Sequence, residues 1–301
     1  MPDPVDLRDL ALAIAREVVP ELRRRAGGVD VSATKSSVTD LVTEVDCWAE
    51  EYIVARILDA RPDDAVLAEE GAGVAGTSGV RWLVDPIDGT TNFVYGHPGF
   101  SVSIGVEADN RPVAGVVIDP LLGDEFCAAH GQGTTRNGRP VWVNSVTDPA
   151  AALVATGFSY DPGRRRQQAE ALVTILPQVS DVRRVGGAAL DLASVSCGRV
   201  DAYFEWGLSP WDCSAGSVLV AEAGGAIALF RTNVASYEPL PARRTPNCEQ
   251  GQIPSRALPV VVTEEEASMN WPDDLVVLAT NRELVEPLTE LLFEAGALSG
   301  P

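Results

Sequence analysis

Residues 82–93 read Trp-Leu-Val-Asp-Pro-Ile-Asp-Gly-Thr-Thr-Asn-Phe, and the rest of the chain organises around them. The apolar run Trp82-Leu83-Val84 ends abruptly in the carboxylate of Asp85. Pro86 and Gly89 then turn the backbone, with Asp88 between them. An apolar run closed by Pro and Gly predicts a buried strand feeding a turn. Two carboxylates at the mouth of such a strand repel one another and lose hydration. A bound divalent cation would offset that cost. Thr90-Thr91-Asn92 is placed to open a helix whose free N–H groups face an anion.

The spacing excludes two alternatives. An EF-hand loop needs a different interval and a later Glu. A phosphatase that works through an aspartyl-phosphate needs a nucleophilic Asp where Pro86 stands. What is left is a multi-carboxylate site in which Asp85, Asp88 and the Ile87 carbonyl converge on cations. An Asp that merely makes a turn explains Asp88-Gly89 but not the whole hexapeptide.

Three further segments offer carboxylates, and each has a plainer reading beside it. Glu69-Glu70-Gly71 ends a short strand; alone it is a solvated turn, and beside Asp85 it extends a metal centre. Glu205-Trp206-Gly207-Leu208-Ser209-Pro210-Trp211-Asp212 precedes an Ala/Gly-rich helix. Asp212 there is either a helix cap or a ligand that closes the cluster. Lys35 to Asp46 is a polar loop opening a helix that carries Asp40 and Asp46, and Lys35 is the only lysine in the chain. It is either a compositional survivor or a place where a compact ammonium is required.

Bulk properties set limits. The 301 residues are 46% hydrophobic and 22% charged, as in an ordinary globular protein. The net charge of −20 argues against nucleic acid or an anionic membrane as partner. Residues 1–26 lack the basic and apolar regions of a signal peptide, and no run reaches the ~20 apolar residues of a membrane span. The five cysteines are widely spaced without a C-x-x-C pair, so a reduced, cytoplasmic protein is expected. Only two histidines occur, which favours an oxygen-ligand Mg²⁺ site over a transition metal.

Periodicity predicts helices over 5–25, 40–58, 165–176, 188–196, 209–223 and 282–293. Strands are expected at 65–68, 80–84, 101–106, 113–118, 124–129 and 141–143, the later ones as an antiparallel meander across a turn-rich stretch 131–140. Beyond Asp148-Pro149, strands at 153–156, 182–185, 201–205, 226–230 and 275–279 alternate with helices, which suggests a mixed or parallel sheet. The expected division is a domain over 1–147 carrying most metal ligands and a domain over 148–301 completing the site. An insertion loop or flap interrupts the second at about 231–269.

Taken together, these motifs resemble the inositol monophosphatase family, within the superfamily of Mg²⁺-dependent, lithium-sensitive phosphatases that includes fructose-1,6-bisphosphatase. The resemblance runs from Lys35 to Gly225, with a family-like end at 275–290. It implies an α/β fold, a layered αβαβα sandwich of the sugar-phosphatase type, in a cytoplasmic homodimer. It also implies two or three Mg²⁺ ions. Glu69, Asp85 and the Ile87 carbonyl would hold the first, and Asp85, Asp88 and Asp212 the second. Thr90 would pair with Glu69 to orient the attacking water, and the amides of Gly89 and Thr90 would hold the phosphate. Asp88 and Asp212 would also face the substrate, with Glu205, Gly186 and Ala188 around the inositol ring. Lys35, Asp40 and Asp46 would tune metal occupancy. The implied reaction is in-line attack of a metal-activated water on myo-inositol 1-phosphate, without a covalent intermediate. Fructose-1,6-bisphosphate, histidinol phosphate and 3′-phosphoadenosine 5′-phosphate are the alternative substrates. A non-catalytic, metal-binding regulatory protein on this scaffold is the alternative outside enzymology.

Two departures from the family pattern stand out: the excursion at 231–269, which is longer than the family norm, and the stretch from Gly96 to Phe100. His97 and Gly99 occupy positions where bulkier apolar residues are usual, and His97 is expected at the surface or behind the site. Arg164-Arg165-Arg166, after Ser159-Tyr160-Asp161, offers a second phosphate contact or a solvated helix start.

Overall fold

The computed structural model describes residues 2–28, 31–34, 41–231 and 275–298. Lys35, Asp40 and nearly all of the expected insertion at 231–269 lie outside the described residues. Helix α1 (Pro4–Arg25) starts where Asp3 accepts a hydrogen bond from the Val5 N–H, and it buries Leu7, Ile14, Val18 and Leu22 along one stripe. Strands β1 (Val31–Thr34) and β2 (Leu41–Thr43) pair antiparallel. Helix α2 (Glu44–Ala60) follows. Its start lies later than the expected Asp40 because Thr43 is the N-cap. The Thr43 hydroxyl accepts from the Val45 N–H, while the Asp46 carboxylate accepts from the Thr43 N–H at 2.8 Å.

A seven-stranded sheet comes next. It holds β3 (Ala65–Ala68), β4 (Val80–Asp88), β5 (Ser101–Ala108), β6 (Arg111–Asp119), β7 (Asp124–Ala129), β8 (Thr134–Arg136) and β9 (Arg139–Val141), with the short helix α3 (Thr90–Tyr95) between β4 and β5. The strands lie side by side in chain order. β3 runs parallel to β4, and every later neighbour is antiparallel, so the meander is present. The strand expected at 141–143 is displaced. Asn137 and Gly138 both take left-handed backbone (φ 52° and 72°), which closes a tight β8–β9 hairpin inside the stretch read as turns.

The remaining elements are β10 (Leu153–Thr156), α4 (Pro162–Ile175), β11 (Asp181–Arg183), α5 (Ala188–Ser196), β12 (Ala202–Trp206), α6 (Pro210–Glu222), β13 (Ala226–Arg231), β14 (Leu275–Thr280) and α7 (Val285–Glu294). Their sheet has the order β11-β10-β12-β14-β13. It is mixed: β11 and β12 run parallel to β10, while β14 is antiparallel to β12 and β13.

Five layers result, as the αβαβα expectation has it. α1 and α2 cover one face of the seven-stranded sheet around Trp82, Ile104 and Val116. α5 and α6 cover its other face, where Phe126, Leu190, Ala215 and Leu219 meet. The same two helices pack on the five-stranded sheet through Leu192, Val220, Tyr203 and Val277. α4 and α7 close the far side against Phe204 and Leu278. Each fully buried Leu or Ile, such as Leu22 or Ile53, contributes roughly 1.5–3 kcal/mol. The middle layer sits close to the backbone of β5: a Cβ on Gly105 would lie 2.2 Å from the Ser214 hydroxyl oxygen. That approach sets the α6 N-terminus over the ends of β4 and β5.

Candidate active site

Strand pairing brings the first carboxylates together. Ala68 of β3 pairs with Val84 of β4, so Glu69 leaves the sheet beside Asp85, and the Glu69 N–H bonds the Val84 carbonyl at 3.2 Å. In a regular strand, Asp85 and Asp88 would point to opposite faces, because they are three residues apart. β4 avoids this with a bulge. Asp85 pairs with Ser103 and Asp88 with Ser101, so one extra residue is absorbed between them and both aspartates face the same side. Pro86, which has no N–H for the ladder, lies in that bulge.

Helix starts supply the other groups. Asp88 accepts from the Ala188 and Ala189 N–H groups at 3.1 and 2.8 Å, and so caps α5 from another sheet. Asp212 sits in the first turn of α6 and accepts from the Ser209 N–H at 2.7 Å. The cap reading of Asp212 is therefore realised in the same side chain that lines the cavity. Asp46, in the first turn of α2, stands behind the site. Its Oδ2 accepts from the Thr43 hydroxyl at 2.5 Å, and its Oδ1 lies 3.2 Å from the Thr90 hydroxyl. The Thr90 hydroxyl also reaches the Ile87 carbonyl at 3.1 Å, so these two acceptors compete for its one proton. Gly89 caps α3 in left-handed backbone (φ 88°), which a side chain would strain.

One cavity of about 460 Å³ gathers these residues. Glu69, Asp85, Ile87, Asp88, Gly89, Thr90, Gly186, Ala188, Glu205 and Asp212 all line it. Asp46 does not; it contacts the site through Thr90. Of the arginine run, only Arg164 lines the cavity, while Arg166 pairs with Glu170 on the surface. His97 is exposed, as expected.

The electrostatics are those of crowded acids. Burial pushes the Asp85 carboxyl well above the ordinary carboxylate range, and the charges of Glu69, Asp88 and Asp212 push it further. Asp85 and Glu69 also share a side-chain hydrogen bond. Asp88 is pushed up to about 6, mainly by burial, although the Ala189 and Ala188 N–H groups act against the shift. Asp212 is raised well above the usual range by burial, then by Glu69 and Asp88. Glu205 is raised to about 7 by burial, opposed by the Tyr203 hydroxyl and the charge of Arg184.

This donor set fits a hard divalent cation. The groups are carboxylates and a carbonyl, the oxygen ligands that Mg²⁺ takes, and a cation would relieve the repulsion that raises their pKa values. Among the described residues, no group of three or more His, Cys, Asp or Glu stands ready to hold a metal ion as it is.

Three residues in or behind the cavity wall escaped sequence reasoning. Arg184 lines the cavity two residues before Gly186. Tyr203 donates to the Glu205 Oε2 at 2.6 Å. The period of a strand could have flagged it, since residues two apart share a face. Asp191 in α5 is 1% exposed, and the apolar residues on both sides of it, Leu190 and Leu192, were the signal that it is not a surface acid.

The match to the inositol monophosphatase family covers residues 3–263. The chain belongs to that family. Members are phosphatases and are generally Mg²⁺-dependent. Inositol-1-monophosphatase SuhB of Mycobacterium tuberculosis is 42% identical over 246 residues, 75% of this chain and 85% of that protein. A Pseudomonas aeruginosa protein named Nus factor SuhB is 40% identical over 233 residues, 74% of this chain and 84% of its own length. Among solved structures, Mycobacterium tuberculosis SuhB superposes with a TM-score of 0.75 at 33% identity, over 99% of this chain and 100% of that one. A Thermotoga maritima IMPase superposes with a TM-score of 0.76 at 27% identity, over 98% and 100%. Among the described residues, no helix is long and apolar enough to cross a membrane.

Proposed function

We propose that this member of the family is a Mg²⁺-dependent phosphomonoesterase that hydrolyses myo-inositol 1-phosphate or a close polyol phosphate. The observation that carries the reading is one cavity lined both by Glu69, Asp85, Asp88 and Asp212 and by Glu205, Gly186 and Ala188. The first group suits metal and phosphate; the second suits a hydroxyl-bearing ring.

In this reading Glu69, Asp85, the Ile87 carbonyl, Asp88 and Asp212 hold Mg²⁺. When bound, the metal acidifies water and neutralises phosphoryl oxygens. The Gly89 and Thr90 amides hold the phosphate. Thr90 and Glu69 orient the attacking water, with Asp46 fixing the Thr90 hydroxyl from behind. Asp88 ties the metal side to the start of α5, so the ring-facing Gly186–Ala188 segment keeps its distance from the reacting phosphorus. Glu205 accepts a hydrogen bond from a substrate hydroxyl. Lys35, Asp40 and Asp46 tune metal occupancy. The two sheets belong to two domains, 1–147 and 148–301. The same reading takes the enzyme to be lithium-sensitive, homodimeric and cytoplasmic.

The test is steady-state turnover of myo-inositol 1-phosphate, fructose 1,6-bisphosphate, histidinol phosphate and 3′-phosphoadenosine 5′-phosphate, with Mg²⁺ varied and Li⁺ added. The expected result is Mg²⁺-dependent, Li⁺-inhibited turnover that is fastest on the inositol ester. Faster turnover of another substrate reassigns the specificity. The relative named Nus factor SuhB favours a second reading, a regulatory partner in a larger assembly. Absence of turnover on all four esters, together with a tight protein partner in pull-downs, would favour it.

A further inference from the structure

Glu205 is held from behind by two groups that do not belong to the metal centre. Tyr203 and Glu205 lie two apart on β12 and so project to the same face. Tyr203 is fully buried, and a buried phenol needs a partner for its hydroxyl. It donates to the Glu205 Oε2 at 2.6 Å. Burial and the charges of Glu205 and Asp191 hold the Tyr203 phenol well above its usual range, so it keeps its proton and stays a donor.

The neighbouring strand supplies the second restraint. Thr156 of β10 pairs with Phe204, and its hydroxyl bonds the Phe204 carbonyl at 2.8 Å. Gly157 therefore emerges directly against Glu205. A Cβ there would lie 1.8 Å from Oε2 and 2.3 Å from Oε1 of that carboxylate. Glu205 thus occupies space that any other residue at position 157 would fill. A void of about 10 Å³ beside it, between Phe158 and Gln168, is at the lower limit for a single water. The carboxylate has no room to swing away from the cavity. Its Oε1 accepts no hydrogen bond among the described residues.

We propose that Tyr203 and Gly157 are positioning residues that hold Glu205 in one orientation, with Oε1 presented to a hydroxyl of the leaving group. The choice of a polyol phosphate over a simple monoester is then set behind the cavity wall, apart from the metal centre. This rests on the phosphatase reading above. It adds that Glu205 discriminates only while it is held.

The test compares myo-inositol 1-phosphate with p-nitrophenyl phosphate, an aryl ester without hydroxyls, using the full chain with Mg²⁺. Tyr203→Phe keeps the ring and removes the donor. Its KM for the inositol ester is expected to rise on the order of 10-fold, the scale of a hydrogen bond to a charged group. Its kcat should stay within about 2-fold, and both constants for the aryl ester should be unchanged. Gly157→Ala leaves the tyrosine in place and is expected to give the same split. In a double-mutant cycle, Tyr203→Phe added to Glu205→Ala should cost nothing further. Equal losses on both substrates, or a full further loss in the double variant, would overturn the positioning role and leave the phosphatase reading standing. A wild type that hydrolyses neither ester overturns that reading and this inference with it.

Discussion

Asp85, at the bulge of β4, and Asp124, at the start of β7, belong to the same seven-stranded sheet and are 2% and 3% exposed. Their surroundings are opposite. Arg136 grips both oxygens of Asp124, Nε to Oδ1 at 2.8 Å and the second nitrogen to Oδ2 at 2.9 Å. Arg199 adds a bond to Oδ2 at 2.6 Å, and Asn137 one to Oδ1 at 3.0 Å. Burial alone would raise the Asp124 pKa, but these guanidinium bonds outweigh it and hold the carboxyl below its ordinary value. Asp85 has one backbone N–H, from Ile87 at 3.0 Å, and faces other acids, so its pKa moves up. Similar exposure with opposite neighbours separates a carboxylate held charged by two guanidiniums from one buried more deeply among other acids. The two are linked through α5: Asp88 holds its first turn, and Asp124 holds Arg199 just past its end.

Substitution at the two sites should break the comparison most sharply. Asp85→Asn is expected to lower turnover about 10³-fold, the scale of losing ~4 kcal/mol of transition-state stabilisation. It should also raise the melting temperature in metal-free buffer, because it removes a like charge. Near-normal turnover by the purified variant would sink the ligand assignment. Asp124→Asn should do the reverse. Leaving two guanidiniums without their partner is expected to cost about 3 kcal/mol in chemical denaturation, with turnover per folded molecule retained.

Metal addition sharpens the contrast further. Mg²⁺ at 100 times its dissociation constant should stabilise the wild type by about 2.7 kcal/mol. Asp124→Asn should keep that increment, and Asp85→Asn should lose most of it. Calorimetric melting with and without the ion reads both.

The smallest effect expected is on pH dependence. The folded pKa of Asp124 lies below its unfolded value near 3.9, so its stabilisation is complete above that value and is lost as pH falls through the lowered one. Asp85, Asp88 and Asp212 are raised, so without metal they cost stability at neutral pH. That cost is relieved on acidification, through about pH 6 for Asp88. The metal-free melting temperature should therefore rise from pH 7.5 to 5.5 and fall below about pH 4. A steady fall from pH 7.5 downward would contradict the crowded-acid account.

Much of this was legible in the chain because it depends on local chemistry. Helix α5 has the expected bounds, and Asp212 lies at the start of its helix because a cap is decided within three residues. Asp40 as the start of α2 failed for the same kind of reason: Thr43 and Asp46 form a capping box that stops the helix there. The β8–β9 hairpin was hidden because its strands are three residues each, too short to show an alternating period, and Pro140 reads as a turn residue.

Apolar period and turn chemistry act over a few residues, so the chain by itself determined most strands and helices in their order and which acids follow the apolar runs, while the αβαβα layering was implied by the resemblance of its motifs. Tertiary structure alone decided which of those acids are crowded and which are paired. The bulge turns Asp85 and Asp88 to one side, α5 leans on Asp88, Arg199 reaches Asp124 and Gly157 leaves room for Glu205. Apart from the bulge, these contacts join residues far apart in the chain. The charge state of a buried group is a sum over neighbours from separate segments, which no local pattern contains.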